Sequence, residues 1–323
     1  MSPKSISAAL LLAVAVFSGP SPAADAYPSK PVRLLIPFAP GGGTDILARM
    51  VAQRLSETMG QPMVADNRPA VDGVVASETL ARSAPDGYTL LLVSSSHAIN
   101  PAIGRKLPYD TIRDFAAITL TSTACYVLVV PATLNVKTAQ DLIALAKAKP
   151  GQLNYGSGGT GSGAHFAAEM FKYTTGIDAV HVPYRGIPEG ITDLISGRLQ
   201  FFMSPLASAV SLVRDGKIRA LAVTAKKRVA VYADVPTLAE SALPGYQWDS
   251  WSGLLAPAKT PRAIIDKLNR EITKVLNQPE IQQRLLSMGA EAAPNKPAEF
   301  DKLIAEQVAM TIKLARQAGI KPE

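Results

Sequence analysis

Cysteine and histidine are both scarce in this sequence. Its 323 residues include one cysteine, Cys125, so neither an intramolecular disulfide nor a site of several thiolates can form. The three histidines, at positions 97, 165 and 181, are far apart in the chain and lack the spacing of a metal site. The sequence therefore predicts a protein that uses no metal and no cofactor.

Aromatic residues are also few, at 6%, and charged residues make up only 18%. Lysine and arginine nevertheless exceed aspartate and glutamate by 33 to 26, which gives a net charge of +7. The basic cluster Lys226–Arg228 contains no interleaved aromatic side chains. We therefore expect a solvated turn there, no nucleic-acid partner, and only a diffuse attraction for anions.

One long apolar run is present, and it lies at the N-terminus. It extends from Ile6 to Phe17 after the basic residue Lys4, and at about 12 residues it is shorter than the roughly 20 that span a bilayer. Ala24 and Ala26 place small residues where a signal peptidase reads the chain. This pattern predicts a signal peptide over residues 1–26, cleavage after Ala26, and an exported mature protein. No cysteine follows the run, so a lipoprotein anchor is excluded.

The rest of the chain alternates short apolar runs with helical patterns, which is typical of an α/β fold with a largely parallel sheet. A C-terminal part from Pro261 onward is predicted to form three amphipathic helices, punctuated by Pro279, Gly289 and Pro297. The predicted strands are Val32–Phe38, Met63–Ala65, Tyr88–Val93, Tyr126–Val130, Leu153–Tyr155, Val180–Pro183, Leu199–Met203 and Ile218–Thr224.

Two segments share the order of apolar strand, glycine-rich turn and helix start. They are Pro40–Asp45 and Gly156–His165. The first turn of a helix exposes unpaired backbone N–H groups with partial positive charge, and glycine lets an anion approach them closely. In open α/β sheets such loops lie at the carboxyl ends of the strands, where ligands bind. Two of them facing each other would hold a carboxylate or a phosphate.

The familiar enzyme motifs do not fit these loops. The first loop lacks the Lys-Ser/Thr of a nucleotide P-loop, and no G-x-S-x-G elbow occurs in the chain. Gly156, Gly158 and Gly161 match G-x-G-x-x-G, but Asp178 precedes the next strand, where a ribose-binding acid would follow it. A secreted hydrolase that uses Ser162 and His165, with Asp45 as the third group, is kept as an alternative.

The segments named so far, with others in the same order, resemble the Bug family, the TctC-like extracytoplasmic solute receptors of tripartite tricarboxylate transporters. The resemblance covers nearly the whole mature chain. It is carried by YPSKPVRLLIPFAPGGGTDILAR at 27–49, ADNRP at 65–69, APDGYTLLL at 84–92, NPAIGRKLPYD at 100–110, LNYGSGGTGSGAH at 153–165, HVPYRG at 181–186, IRALAVTAKKR at 218–228, DVPTLAESALPGY at 234–246 and WSGLLAPAKTP at 251–261.

The resemblance implies a type II periplasmic-binding-protein fold, in which two α/β lobes are joined by two crossing hinge strands. We place the crossings at 118–130 and 246–255, with lobe one at 27–125 and 247–323 and lobe two at 126–246. It further implies a monomeric periplasmic protein that is not an enzyme. Such a protein would capture a small organic carboxylate between the lobes and deliver it to membrane permease subunits. A ligand sensor for a membrane signalling protein is the remaining alternative.

The resemblance also implies that the loops hold the ligand through backbone, hydroxyl groups and ordered water. Two departures from the family bear on which carboxylate binds. Ser204-Pro205 stands where the family often has Asp-Asn, which argues against amino-acid ligands, and Ala70–Val74 is bulkier than the usual glycine-rich run. The ligand-binding residues implied are Phe38, Pro40, Gly42, Gly43, Thr44, Asp45, Ser94, Ser95, Ser96, Gly158, Thr160, Gly161, Ser162, His165 and Ser204.

Overall fold

The structure is a computed structural model that describes residues 27–38, 40, 43–69, 73–104 and 106–320, with the side chains of Gly43 and Thr44 left out. The predicted signal peptide, residues 1–26, and Gly42 lie outside the described residues. None of the helices in the described part is long and apolar enough to cross a membrane.

Strands and helices alternate along most of the chain, as the sequence predicts. The strands are β1 (Val32–Ile36), β2 (Met63–Asn67), β3 (Thr89–Ser94), β4 (Phe115–Pro131), β5 (Asn154–Ser157), β6 (Val180–Pro183), β7 (Phe201–Pro205), β8 (Ile218–Val223), β9 (Asp249–Pro257) and β10 (Glu291–Ala292). The helices are α1 (Gly43–Met59), α2 (Val74–Ala81), α3 (Ser96–Ile99), α4 (Ala139–Ala148), α5 (Gly163–Thr175), α6 (Ile187–Ile195), α7 (Leu206–Arg214), α8 (Leu238–Ser241), α9 (Arg262–Leu276), α10 (Pro279–Ser287) and α11 (Pro297–Ala318).

The strands pair in the order β2-β1-β3-β9-β4-β7-β5-β6, while β8 and β10 also pair with β4. The pairs among β1, β2 and β3 are parallel, as are those of β5 with β6 and β7. The central pairs, those of β9 with β3 and of β4 with β9, β7 and β8, are antiparallel. The parallel strands therefore form two groups that flank an antiparallel centre.

Strand β4 joins the two groups. Its first part, Phe115–Cys125, pairs with β9, and from Tyr126 onward it pairs with β7 and β8. Strand β9 returns the chain along β4. We call the β1-β2-β3 side with its helices lobe one, and the β5–β8 side with its helices lobe two. The two-lobed architecture with two crossing strands is confirmed, while the division of the chain at residues 126 and 246 stays a prediction.

Each lobe has its own core. In lobe one, successive residues of β1 point to opposite faces, so Leu34 and Ile36 pack against α1 and α9 while Leu35 packs against α2 and α11. Lobe two has a single larger cluster around Tyr155, Phe166 and the β4–β7 strands, and the end of α11, with Leu314 and Ala315, also packs into it. Strands buried on both faces explain the continuous apolar runs seen in the sequence.

Local signals set most helix ends. Thr138 caps α4 by accepting a hydrogen bond from the Asp141 amide, and the Asp141 carboxylate accepts one from the Thr138 amide in return.

The three predicted C-terminal helices are confirmed as α9, α10 and α11. The predicted strand Tyr126–Val130 proved too short, because β4 is continuous from Phe115, and the two-residue strand β10 was not predicted.

Candidate functional site

The first loop leads from β1 to the start of α1, and Asp45 lies in the first turn of that helix. The Asp45 carboxylate is buried and accepts hydrogen bonds from Arg49 Nε at 3.0 Å and from Asn67 Nδ2 at 2.8 Å. Asn67 Nδ2 also donates to the Phe38 carbonyl at 3.0 Å. These bonds tie the beginning of the loop to the end of β2. Asn67 therefore positions the loop, a role that sequence reasoning missed although the residue lies in the quoted ADNRP segment.

The second lobe-one segment, Ser94–Ser96, begins at the last residue of β3. The Ser94 and Ser96 hydroxyls are 2.8 Å apart and hydrogen-bonded. The Ser95 amide donates to the Trp251 carbonyl at 2.9 Å, which anchors the turn to strand β9. The Ser95 hydroxyl lies 3.5 Å from the hydroxyl of Ser250, a hinge-strand residue. The turn after β3 is thus joined directly to the hinge.

The lobe-two loop, residues 157–162, ends at the start of α5. Ser162 is the N-cap, and its hydroxyl accepts a hydrogen bond from the His165 amide at 3.2 Å. The Gly161 amide donates to His165 Nδ1 at 3.1 Å, and the Ser157 hydroxyl donates to the Gly159 carbonyl at 3.0 Å. Gly161 has a φ of +83°, a left-handed conformation that favours glycine. The loop is therefore shaped by its own hydrogen bonds.

The two lobes meet beside these loops. Ser250 bonds to Tyr126, and the Tyr126 hydroxyl lies so close to Gly163 that a Cβ there would overlap it. Ser95, Ser250, Tyr126 and the α5 N-terminus therefore form a polar path from one lobe to the other. At a second point, a Cβ on Gly161 would lie 3.1 Å from Ile103 Cγ2.

The two helix N-termini differ in charge. Helix α1 carries the buried Asp45 in its first turn, whereas the first turn of α5 contains no acidic residue. The negative charge of Asp45 already interacts with the partial positive charge at the N-terminus of α1. At the α5 end the Gly163 and Ala164 amides have no intrahelical acceptor. The α5 N-terminus is therefore the stronger of the two places for an external anion.

The remaining predicted residues lie as follows. Phe38 is half-buried, Pro40 is exposed, and Gly43 and Thr44 begin α1. Gly158 and Thr160 are half-buried in the lobe-two loop. Ser204 is fully buried at the end of β7, where its hydroxyl donates to the Pro205 carbonyl at 3.1 Å.

The hydrolase alternative finds no support in the geometry of its two main residues. The Ser162 hydroxyl is engaged with the His165 backbone, and the His165 ring accepts from Gly161. No hydrogen bond joins the His165 ring to the Ser162 hydroxyl, although both residues are described. Within the described residues, no group of three or more His, Cys, Asp or Glu side chains could hold a metal ion.

Two stacked histidine rings lie beneath the lobe-two loop. The rings of His165 and His181 have centroids 3.8 Å apart and planes 9° from parallel, and His181 Nε2 is 2.7 Å from the Ser157 hydroxyl. Burial, followed by the charge of Lys172, lowers the pKa of His165 to about 4. Burial and the neighbouring His165 lower the pKa of His181 to about 3. Both rings are therefore neutral at pH 7.

A buried ionic group adjoins the stack. Glu169 receives hydrogen bonds from the Tyr155 hydroxyl and, at 2.8 Å, from Lys172 Nζ. Glu169 Oε1 is 4.0 Å from His165 Nε2. Burial together with the Glu169 charge raises the pKa of Tyr155, so its hydroxyl stays protonated and donates. The lobe-two loop thus rests on two neutral histidines and on a tyrosine that keeps its proton.

Acidification is expected to destabilise the protein through this stack. An unfolded chain protonates histidine near pH 6.5, whereas the native rings do so only near pH 4 and pH 3. The unfolded state therefore binds more protons below pH 6.5, so stability is complete above that pH and is lost as the pH falls toward 4 and 3. Thermal unfolding of the protein and of His181→Gln, each at pH 7 and pH 5, checks this. We expect a smaller acid loss in the variant, and equal losses would contradict the prediction.

A family model matches residues 47–320, and its description is "Tripartite tricarboxylate transporter family receptor". The chain belongs to this receptor family. It is therefore a binding protein and not an enzyme, as predicted. Receptors of this family are periplasmic.

Individual relatives agree with the family assignment. The receptor is 33% identical to Protein BugT of Bordetella pertussis over 92% of each chain. Among solved structures, it is similar to Rpa4515 of R. palustris with adipate, at 36% identity, a TM-score of 0.75, and 92% of this chain and 100% of that chain covered. It is also similar to MatC of Rhodopseudomonas palustris with bound malate, at 29% identity, a TM-score of 0.71, and 90% and 100% coverage.

Proposed function

We propose that this receptor binds a small organic carboxylate between its lobes and delivers it to the membrane subunits of a tripartite tricarboxylate transporter. The observation that carries the proposal is the α5 N-terminus. Its first turn contains no acidic residue, its Gly163 and Ala164 amides have no intrahelical acceptor, and Tyr126 links it through Ser250 to the hinge and to Ser95. The adipate and malate bound by two similar proteins support the same ligand class.

In the proposed complex one carboxylate group of the ligand accepts hydrogen bonds from the Gly163 and Ala164 amides. The Ser162 hydroxyl can add a further bond, because it accepts from the His165 amide and keeps its own proton for donation. Ser94–Ser96 and the first loop supply partners from lobe one. A ligand that touches both lobes stabilises the closed form over the open one, so binding shifts the population toward closure.

The proposed ligand carries no amine. An ammonium group in the cleft would need an acidic partner, and the residue at the end of β7 is Ser204, whose buried hydroxyl is bound to the Pro205 carbonyl. The acid nearest the first loop, Asp45, is held by Arg49 and Asn67. Dicarboxylates such as adipate and malate meet this requirement, whereas amino acids do not.

The remaining parts of the proposal concern the whole protein. We propose a secretory signal at residues 1–26 that is removed after Ala26, and a monomer with lobes at 27–125 plus 247–323 and at 126–246. The switch of β4 from pairing with β9 to pairing with β7 and β8 at Tyr126 supports a boundary near that residue.

Titration calorimetry with adipate and malate tests the proposal, with adipamide as the uncharged control. We expect at least one of the two acids to bind in a 1:1 ratio and adipamide to bind at least about tenfold more weakly, a difference of about 1.4 kcal/mol. The only two tryptophans, Trp248 and Trp251, are buried at or beside the second hinge strand, so their fluorescence should change on closure. Equal affinity for adipate and adipamide would contradict a carboxylate site at a helix end.

A further inference from the structure

The hinge borders a second space between the lobes. The glycine loops follow the carboxyl ends of β1 and β5, and the Ser94–Ser96 turn lies at the carboxyl end of β3. A cavity of about 560 Å³ is lined by Thr123–Cys125 of β4, by Glu291 of β10 and by the segment Ala225–Val231 that follows β8. We call it the rear cavity. None of the residues predicted to bind the carboxylate lines it.

Both lobes supply apolar walls to the rear cavity. Cys125 of β4, Leu206 at the start of α7, and Ala290 line it. Two large apolar side chains at its edge are unusually exposed, Val231 of lobe two at 50% and Leu286 of lobe one at 55%. Small-molecule sites are typically concave, mostly apolar and roughly 300–1,000 Å³ in volume. The cavity therefore has the size and the lining of such a site.

Lobe one supplies two acidic groups, Asp249 and Glu291. Asp249 Oδ2 accepts a hydrogen bond from Gln247 Nε2 at 2.8 Å, but Asp249 Oδ1 is buried and receives no hydrogen bond in the described part of the chain. A buried oxygen without a donor is costly. Burial, and the nearby Glu291 charge, raise the pKa of Asp249 to about 6. A cationic group of a ligand would supply the hydrogen-bond donor that Asp249 Oδ1 lacks.

Lobe two supplies the opposite charge. Lys226 and Lys227 line the cavity and are exposed. Among the described residues neither has an ion-pair partner within 4.0 Å, whereas Arg228 is bound to Glu240 at 2.9 Å. The basic cluster, which the carboxylate site leaves unused, therefore offers two cations to a ligand in the rear cavity.

We infer that the rear cavity is a second small-molecule site, and that its ligand is an amphipathic zwitterion. An ammonium group would bind at Asp249 and Glu291, an anionic group at Lys226 and Lys227, and an apolar body would lie between them. Apolar α-amino acids have this chemistry. The site is separate from the proposed carboxylate site, since none of the residues predicted to bind the carboxylate lines it.

Calorimetry with L-phenylalanine and L-leucine tests the inference. 2-Phenylethylamine, which lacks the carboxylate, and 3-phenylpropanoate, which lacks the ammonium group, are the matched probes. We expect at least one amino acid to bind at millimolar concentration or below, and each single-charge analogue of phenylalanine to bind at least about tenfold more weakly. Absence of binding by both amino acids, or equal binding of the analogues, would overturn the inference.

Three variants locate the bound probe. Asp249→Asn removes the carboxylate charge without changing the side-chain shape. We therefore expect the variant to fold, with an unchanged or higher unfolding midpoint at pH 7. Its affinity for the amino acid should fall at least tenfold. Lys226→Gln combined with Lys227→Gln should weaken binding in the same direction. Ser162→Asp, in the proposed carboxylate site, should leave the amino-acid affinity unchanged. If Ser162→Asp lost amino-acid binding and Asp249→Asn kept it, the amino acid would bind in the proposed carboxylate site. That result would overturn the inference, whatever the outcome with adipate.

Discussion

Replacing Ser162 by Asp is expected to lower carboxylate affinity by about 100-fold while leaving the fold intact. Aspartate caps a helix as well as serine does, so the His165 amide keeps its acceptor. The new charge, however, would face the bound carboxylate. Two like charges about 5 Å apart repel by about 3 kcal/mol at an effective dielectric constant of about 20, which corresponds to about two orders of magnitude in affinity.

A matched control is available in the same lobe. Thr138 caps α4 in the same way, and it is exposed at the other end of lobe two from the glycine loop. Thr138→Asp therefore adds the same charge to another helix N-terminus, and we expect it to bind adipate or malate within about twofold of the parent protein. Calorimetry measures both affinities, and thermal unfolding checks both folds. If the two variants lost affinity equally, the effect would be one of net charge and the α5 N-terminus would not be the site.

Replacing Gly253 by Ala is expected to lower the free energy of unfolding by about 3 kcal/mol, the upper end of the usual range for overpacking a core. Gly253 lies in β9, between Leu120 of β4 and Val93 of β3. A Cβ there would overlap the ring of Phe300 and would lie 3.0 Å from the Thr119 carbonyl oxygen. Phe300 is fully buried in α11 and packs edge-on against Trp251 at 5.3 Å. The ring cannot move without displacing α11 from the hinge strands.

Denaturant unfolding of Gly253→Ala measures this loss. Gly186→Ala is the matched control, because its Cβ would meet nothing closer than Pro188 Cδ at 3.7 Å, and we expect it to unfold within about 1 kcal/mol of the parent protein. Shortening the partner in Gly253→Ala/Phe300→Leu should recover part of the loss relative to Gly253→Ala alone. A stable Gly253→Ala protein would show that α11 does not pack against β9 as described.

Much of the fold follows from local patterns in the sequence. The apolar run at Val32, the capping residue Thr138 and the glycine and proline breaks near Gly60 and Pro62 each act within a few residues. Such signals predicted the βα alternation and the three C-terminal helices correctly. They do not specify which strands pair, and so these signals predicted the continuous strand β4 (Phe115–Pro131) only over Tyr126–Val130.

The arrangement around the site was less accessible to sequence reasoning. Both glycine loops were recognised because glycine, hydroxyl residues and a helix start are adjacent in the chain. Asn67, Tyr126 and Ser250 were missed as partners of those loops because their contacts join residues far apart in sequence. The polar path from Ser95 to Gly163 exists only once β4 and β9 have crossed.

Scarcity of cysteine and histidine, the βα order and the two glycine loops were thus determined by the sequence alone, together with the resemblance to a receptor family. Tertiary structure decided how charge is distributed around these features. It shows Asp45 at the positive N-terminus of its own helix, the two histidines stacked and neutral beneath the other loop, and a buried Asp249 oxygen that receives no hydrogen bond within the described residues. The physical reason is that secondary structure depends on neighbours in the chain, whereas the protonation and the partners of a buried group depend on neighbours in space.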